Sequence, residues 1–325
     1  MSRQRIARHP APGAIGALVL AVLAAAPAVR ADAGPRRVAL RDLARQYALP
    51  QPVRSGAAVL MRNACNALEF EPFSRKLVFD RVLIWLNDTC APNGGGWTIA
   101  ACDAQGVVDA LLRPRQVLAA TRVATVVLDA GHGGKDSGAR GRRGASEKKI
   151  ALDIARRVRV RLQSCGVAVK LTRQEDEDLS LPARTALAQK WHADLFLSIH
   201  LNSARNGAAR GVETYVVASQ GYPSTAAGRA DAGACAGNRR EAANSLLAYY
   251  VHKGVVTQTK APDRGIKRAR FELLRTASCP AALVECGFVS NAAEERRLND
   301  AAYRDTIAEG ITRGILTFVS KAGSG

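Results

Sequence analysis

The sequence predicts an α/β protein, with a twisted, mostly parallel sheet and helices on both faces, preceded by a small α+β domain. Three observations carry this. From Val123 onward, apolar runs of strand length alternate with longer stretches of helical period. Before residue 115, short β-branched runs are divided instead by Asn, Pro and Gly clusters. The chain has 325 residues, 47% of them hydrophobic, which is room for one large domain and a small one.

The first 33 residues are set apart. Arg3, Arg5 and Arg8 precede a short apolar run, Ala14 to Ala26. Small-residue cleavage sites follow at Ala26-Pro-Ala28 or Ala31-Asp-Ala33. This is the pattern of a secretory signal peptide, and it predicts export to the periplasm or cell envelope. The run is short for a membrane span, which needs about 20 residues, so no stable membrane insertion is expected after cleavage.

Residues 35–115 read as the small α+β domain. Leu40, Leu43, Ala44 and Tyr47 share one helical face within Arg37 to Tyr47. Ala57 to Arg62, Leu68 to Phe73 and Arg81 to Leu86 read as short strands, with Trp97 to Ala100 as one more. Asn93 to Gly96 is a loop tip. Leu112-Arg-Pro-Arg115 marks the boundary.

Residues 123–320 form the larger domain. Val123–Asp129 is a buried strand, and Ser146–Ser164 a helix with Ile150, Ile154, Val158 and Leu162 on one stripe. Gly166 ends that helix. Strands follow at Val167–Thr172, Leu195–Leu201, Val212–Val217, Arg268–Leu274 and Ala281–Glu285. Helices are expected at Leu181–Trp191, Glu241–Thr259, Ala292–Asn299 and Ala302–Ser320. Residues 219–238, rich in Gly, Ala and Ser, read as a surface loop.

The formal net charge is +19. Residues 1–33 hold four Arg and one Asp, a net +3, which leaves +16 on the remainder. A basic exported protein suits an anionic partner, and a cell-wall polymer or anionic membrane fits better there than nucleic acid. The bland reading spreads these charges over solvated faces. No nucleic-acid motif occurs, and a monomer is expected. The seven cysteines include no CxxC pair, which disfavours a Cys-based zinc knuckle. Export permits disulfides, and Cys90–Cys102 and Cys235–Cys279 are plausible bridges.

Of the five histidines, His132 and His200 each stand at the C-terminal end of an apolar strand. Ligands bind outside those ends in open α/β sheets, so both can point into one crevice. Catalytic zinc takes three protein ligands and keeps a fourth position open. Glu147, at the head of the helix after the Gly-rich His132 turn, is the third candidate. The helix dipole alone would also favour a carboxylate there. The strand Ala281 to Glu285 ends on a second carboxylate, expensive to bury unless it is used or paired. Glu285 is thus the candidate base, or the partner of an arginine. His192 and His252 read as capping or surface residues.

Four blocks carry a family resemblance: "LDAGHGGKDSGARG", "SEKKIALDIA", "LFLSIHLNSA" and "ALVECGFVSN". In order and content they resemble the signature blocks of zinc-dependent N-acetylmuramoyl-L-alanine amidases, the amidase-3 family, over residues 123–320. The resemblance implies Zn²⁺ held by His132, Glu147 and His200, with Glu285 as catalytic glutamate. It implies peptidoglycan as substrate, cut between N-acetylmuramic acid and L-alanine. Asn202 and Arg264 are further candidates for substrate contact. Ser137 stands where the family usually has proline. Some bacterial members carry a long helical insertion over the zinc after the strand matching Val212–Val217. Here only about twenty small residues stand there, and an open groove is expected. Residues 35–115 resemble the stalk-like modules related to the N-terminal domain of copper amine oxidases. The rival readings are a zinc peptidase cutting within the stem peptide, for which the HExxH helix is lacking, and a non-catalytic wall-binding protein.

Overall fold

In the computed structural model, residues 36–226 and 233–323 are described. The signal pattern of residues 1–33 lies outside them. The N-terminal region runs β1 (Arg37–Ala39), α1 (Leu40–Gln46), β2 (Val53–Ser55), β3 (Ala58–Arg62), β4 (Ala67–Phe70), β5 (Lys76–Phe79), β6 (Val82–Trp85), β7 (Ala91–Pro92) and β8 (Trp97–Ala100). Then α2 (Ala101–Asp103), a π-helical stretch (Ala104–Asp109) and α3 (Ala110–Leu112) run on without interruption, followed by α4 (Pro114–Val117). The second region runs β9 (Thr125–Ala130), α5 (Glu147–Ser164), β10 (Ala168–Leu171), α6 (Leu181–Lys190), β11 (Leu195–Asn202) and β12 (Val212–Val216). It continues through a 3₁₀ turn (Ala236–Arg240), α7 (Glu241–Thr259), β13 (Asp263–Arg268), α8 (Glu272–Thr276), β14 (Ala281–Phe288), α9 (Ala292–Asn299) and α10 (Ala301–Lys321).

The large sheet has the order β10-β9-β11-β14-β12-β13-β6-β5-β4-β3-β2. Its first four strands are parallel, as the βα alternation predicts. β12 runs antiparallel to β14 and parallel to β13. Beyond β13 the N-terminal strands continue the same sheet: β6 pairs with β13 at Ile84 and Ile266, and β6 to β2 form an antiparallel meander. β1, β8 and β7 make a separate antiparallel sheet. Residues from 36 onward therefore fall in one compact unit.

Strand alternation decides which face each side chain serves. Val126 and Leu128, Leu197 and Ile199, Ala282 and Val284 point to the larger core, under α5, α7 and α10. Val127, Phe196 and Leu283 point to a smaller core, under the short helices α6 and α8. Asp129, His200 and Glu285 share the parity of this second, thinly covered face. The candidate chemistry thus stands where little helix covers the strand ends.

Several expectations need correction. Residues 101–112 and 114–117 are helical, although no element was expected there; Ala104, Val107, Val108 and Leu111 bury a face of the first stretch. β5 was also missed. The strand expected at Arg268–Leu274 is instead β13, ending at Arg268, and helix α8. β13 (DRGIKR) is too charged to read as a strand, and pairing on both edges holds it extended. His252 is not at the surface: it is fully buried, with Nδ1 2.9 Å from Thr214 Oγ1 and Nε2 2.9 Å from Asp263 Oδ1. Neither expected disulfide forms, because all seven cysteines are free. Their thiols are settled locally. Burial pushes Cys90 and Cys102 up to about 11 and Cys279 up to about 12, and Cys235 Sγ donates to Asn238 Oδ1 at 3.1 Å.

Helices α7 and α10 meet through glycine. A Cβ on Gly314 would stand 2.5 Å from Val251 Cα, and one on Gly254 would stand 2.2 Å from the Gly310 carbonyl oxygen. Backbone cannot yield as a side-chain tip can. Gly314→Leu is therefore expected to destabilise the protein by about 1–3 kcal/mol or more, read as a lower urea midpoint with unchanged m-value.

Candidate metal centre

β9 ends at Ala130, and the chain turns through Gly131, His132, Gly133 and Gly134. His132 holds φ 59, a conformation that costs a non-glycine residue about 1–3 kcal/mol. Two buried arginines pin the turn. Arg184 donates to the carbonyls of Ala130 and His132, both at 2.8 Å. Arg173 donates to the Ala130 and Gly131 carbonyls at 2.9 and 2.8 Å. Arg184 is in turn paired with Asp129 at 2.8 Å, with side-chain exposures of 3% and 0%. Asp129 also accepts from Thr172 Oγ1 at 2.7 Å and Ser198 Oγ at 2.6 Å. Burial opposes its charge, yet Arg184 and the two hydroxyls hold its carboxyl below the ordinary range.

The structure brings the three expected ligands together. The candidate ligand atoms of His132, Glu147 and His200 all lie within 4.8 Å of one another. His132 Nε2 is 3.1 Å and His200 Nδ1 3.0 Å from the same Glu147 oxygen, Oε1. The two imidazole rings stand edge to face, centroids 4.9 Å apart. Backbone fixes the carboxylate: Leu201 N donates to Oε1 at 3.0 Å and Ala139 N to Oε2 at 2.7 Å. His132 Nδ1 lies 2.7 Å from Asp136 Oδ2, which aims Nε2 at the site. Burial works against charge on Glu147, but its two histidine bonds hold it far below the carboxylate range. Burial likewise opposes the His132 cation, and Glu147 and Asp136 hold that ring above the imidazole range. Two glycines leave room. A Cβ on Gly131 would meet the His200 ring at 2.3 Å, and one on Gly138 would meet Glu147 Oε2 and His132 Cδ2 at 2.7 Å. Two imidazoles and a carboxylate converging on one point are a fitting donor set for zinc.

Glu285 lies beside His200 in the β11–β14 register, and Glu213 lies beside Glu285 in the β12–β14 register. The two carboxylates differ in their partners. Glu213 takes bonds from Asn202 Nδ2 (2.9 Å), Tyr215 OH, Arg264 Nε and Lys267 Nζ (2.6 Å each). Glu285 Oε2 is sealed from solvent with no hydrogen-bond partner. Burial, then the charges of Glu147 and Glu213, push the Glu285 carboxyl well above its ordinary value.

A cleft of about 400 Å³ opens over these groups, lined by His132, Glu147, His200, Asn202, Phe271 and Glu285 among others. Asn202 is therefore at the cleft. Arg264 is not among its lining residues; it is held on Glu213 and over the Phe288 ring, 5.0 Å from the centroid. Of segment 219–238, the described residues 219–226 and 233–238 contribute nothing to the cleft lining, and their helical part is the start of the 3₁₀ turn. Asp129, Asp136, Arg173, Arg184 and Glu213 were not singled out by sequence reasoning. A glutamate inside the apolar strand Val212 to Val216 was the available signal for Glu213.

The Amidase_3 family profile, described as N-acetylmuramoyl-L-alanine amidase, matches residues 126–317. The chain belongs to that family. AmiA of Escherichia coli is 35% identical over 219 residues, covering 59% of this amidase and 75% of the relative. LytC of Bacillus subtilis is 35% identical over 195 residues, covering 60% of this amidase but only 35% of the relative. The solved catalytic domain of CwlV, an N-acetylmuramoyl-L-alanine amidase from Bacillus (Paenibacillus) polymyxa, superposes with a TM-score of 0.52 at 35% identity, covering 61% of this chain and 99% of that one. AmiC2 of Nostoc punctiforme matches with a TM-score of 0.52 at 34% identity, covering 62% and 99%. The amidase therefore has the amidase-3 fold, a mixed and mostly parallel sheet with helices, joined to an N-terminal antiparallel region.

Two outcomes test this amidase's site. Asp136→Ala should weaken zinc binding about 10- to 100-fold, measured by competition with a chromophoric chelator. Asp129→Asn should leave Arg184 as a buried, unpaired cation and cost about 3–5 kcal/mol at neutral pH. The depressed Asp129 carboxyl gives stability that is present above its unfolded value of about 3.9 and lost as pH falls through the folded one. Acid titration of stability should therefore bring wild type and variant closer together at low pH.

Proposed function

We propose that this amidase cuts the amide joining the lactyl group of N-acetylmuramic acid to L-alanine of the peptidoglycan stem peptide, with His132, Glu147 and His200 holding a zinc ion and Glu285 moving the proton. The observation that carries this is one carboxylate without a partner, Glu285, beside three converging metal-ligand atoms in the same cleft. Zinc at that position supplies Lewis acidity, which polarises the scissile carbonyl and brings the pKa of water to about 7. Glu285 takes the proton of the attacking water and delivers it to the departing alanine nitrogen. A carboxyl held up by burial suits both halves of that transfer, because its affinity for the proton lies nearer the working pH. Glu147 and the two histidines stay fixed by backbone and by Asp136, so the site needs little rearrangement.

Asn202 is the substrate contact this reading favours. One of its amide hydrogens goes to Glu213, and the other is available at the cleft wall. Arg264 acts through Glu213, whose carboxyl Lys267, Tyr215 and Arg264 together hold below its ordinary value against burial. The signal pattern of residues 1–33 and the basic remainder fit a monomeric enzyme working on an anionic polymer outside the cytoplasm. A stem-peptide peptidase would use the same metal chemistry, and the products separate the two readings.

Digestion of purified peptidoglycan should release peptides with L-alanine amino termini and leave intact glycan, and a chelator should abolish this. Cuts within the stem peptide would replace the reading with the peptidase one. Glu285→Gln should keep zinc and lose turnover at least about 10²- to 10⁴-fold, whereas His132→Ala should lose both. A Glu285→Gln protein with wild-type turnover would sink the assignment.

A further inference from the structure

Glu213 and Glu285 stand side by side in the β12–β14 register, and of the two only Glu285 lines the zinc cleft. Glu213 is 2% exposed and does not reach it. A carboxylate inside a buried strand is costly unless it is well partnered. Four donors converge on this one. Oε1 takes Arg264 Nε and Lys267 Nζ, both at 2.6 Å. Oε2 takes Tyr215 OH at 2.6 Å and Asn202 Nδ2 at 2.9 Å. With two donors on each oxygen, Glu213 serves as an acceptor only.

Of these four donors, Asn202 alone lines the cleft. A side-chain amide has two orientations, which exchange its oxygen and its nitrogen. Two neighbours fix one of them. Glu213 only accepts, so Nδ2 faces it. The Ser203 backbone N–H only donates, and it lies 2.7 Å from Oδ1. The reversed amide would set oxygen against carboxylate and nitrogen against N–H, and both bonds would be lost. Among the described residues, no acceptor takes the second hydrogen on Nδ2. A donor with a fixed direction therefore stands at the cleft wall, two residues along β11 from His200.

We propose that Glu213 is a positioning residue: it turns the Asn202 amide so that a donor, and not an acceptor, meets a substrate carbonyl oxygen away from the scissile bond. The proposal rests on the amidase reading above. Tyr215, Arg264 and Lys267 hold the carboxylate in place, and Asn202 carries its effect into the cleft. Glu213 itself touches no substrate.

The test uses the full chain and a soluble N-acetylmuramoyl-tripeptide. Asn202→Ala should raise KM about threefold to tenfold and leave kcat near wild type, because the donor holds a part of the substrate that the reaction does not change. Glu213→Ala should raise KM as much, and the double variant no further, as expected when one residue acts through the other. Calorimetry with each substitution placed in the Glu285→Gln protein should show the same losses in affinity. Asn202→Asp combined with Glu213→Gln keeps the bond and reverses its polarity: the amide now at 213 donates to the carboxylate at 202 and turns its oxygen to the two cations. That pair should recover the urea midpoint lost in Glu213→Ala, yet keep KM raised, because an oxygen now faces the cleft. It also keeps the test open where Glu213→Ala fails to fold. Additive effects on KM, a wild-type KM in the reversed pair, or a lower kcat at unchanged KM, which would mean action on Glu285, would each overturn the assignment and leave the activity standing. No cleavage by the wild-type protein would overturn the amidase reading itself.

Discussion

The ion pair between Asp129 and Arg184 is the constraint on which the rest of the site depends. It is almost wholly buried, and both partners make their further hydrogen bonds to protein groups. Asp129 ties β9 to β11 through Ser198 and to the end of β10 through Thr172. Arg184 brings α6 onto the turn and caps the carbonyls of Ala130 and His132. A histidine in the left-handed region would relax if those carbonyls were released. The pair thus converts burial energy into the placement of one imidazole.

Beyond that turn the cleft is a row of three carboxylates in different company. Glu147 has two histidines and two backbone amides. Glu213 has two cations, a phenol and an amide. Glu285, between them, has nothing on its inner oxygen. Burial, and then the flanking charges, disfavour a third charge, so the carboxyl of the middle group is held well above its ordinary value while those of its neighbours are held below theirs. In the proposed reading one type of side chain serves as ligand, as proton carrier and as anchor, and the partners of each carboxylate separate the roles.

Much of this was legible in the sequence, for a physical reason. Strand ends in an α/β sheet are predictable from apolar runs, and His132, His200 and Glu285 each sit at one or next to it. Glu147 followed from the start of a strongly periodic helix. What stayed hidden lies in long side chains and unusual strands. Arg173 and Arg184 return to carbonyls far away in sequence, and nothing local in Thr172-Arg-Gln or Ala183-Arg-Thr announces that. β13 has one large apolar residue, Ile266, and takes its conformation from neighbours. The cysteine spacing suggested bridges, but all seven cysteines are free, three of them buried.

The junction of β6 with β13 has a consequence for how the protein can be divided. The family segment starts at Val126, and in CwlV a chain of that extent stands alone. Here β13 would be left with an open edge if residues 36–115 were removed, showing unpaired amides and carbonyls to other chains. The N-terminal strands therefore act as a guard against strand-to-strand association, and Asp263 and Arg264 hold them in place through Leu83 and Trp85. The segment that matches the family and the segment that closes the β13 edge in this chain are two different lengths of polypeptide.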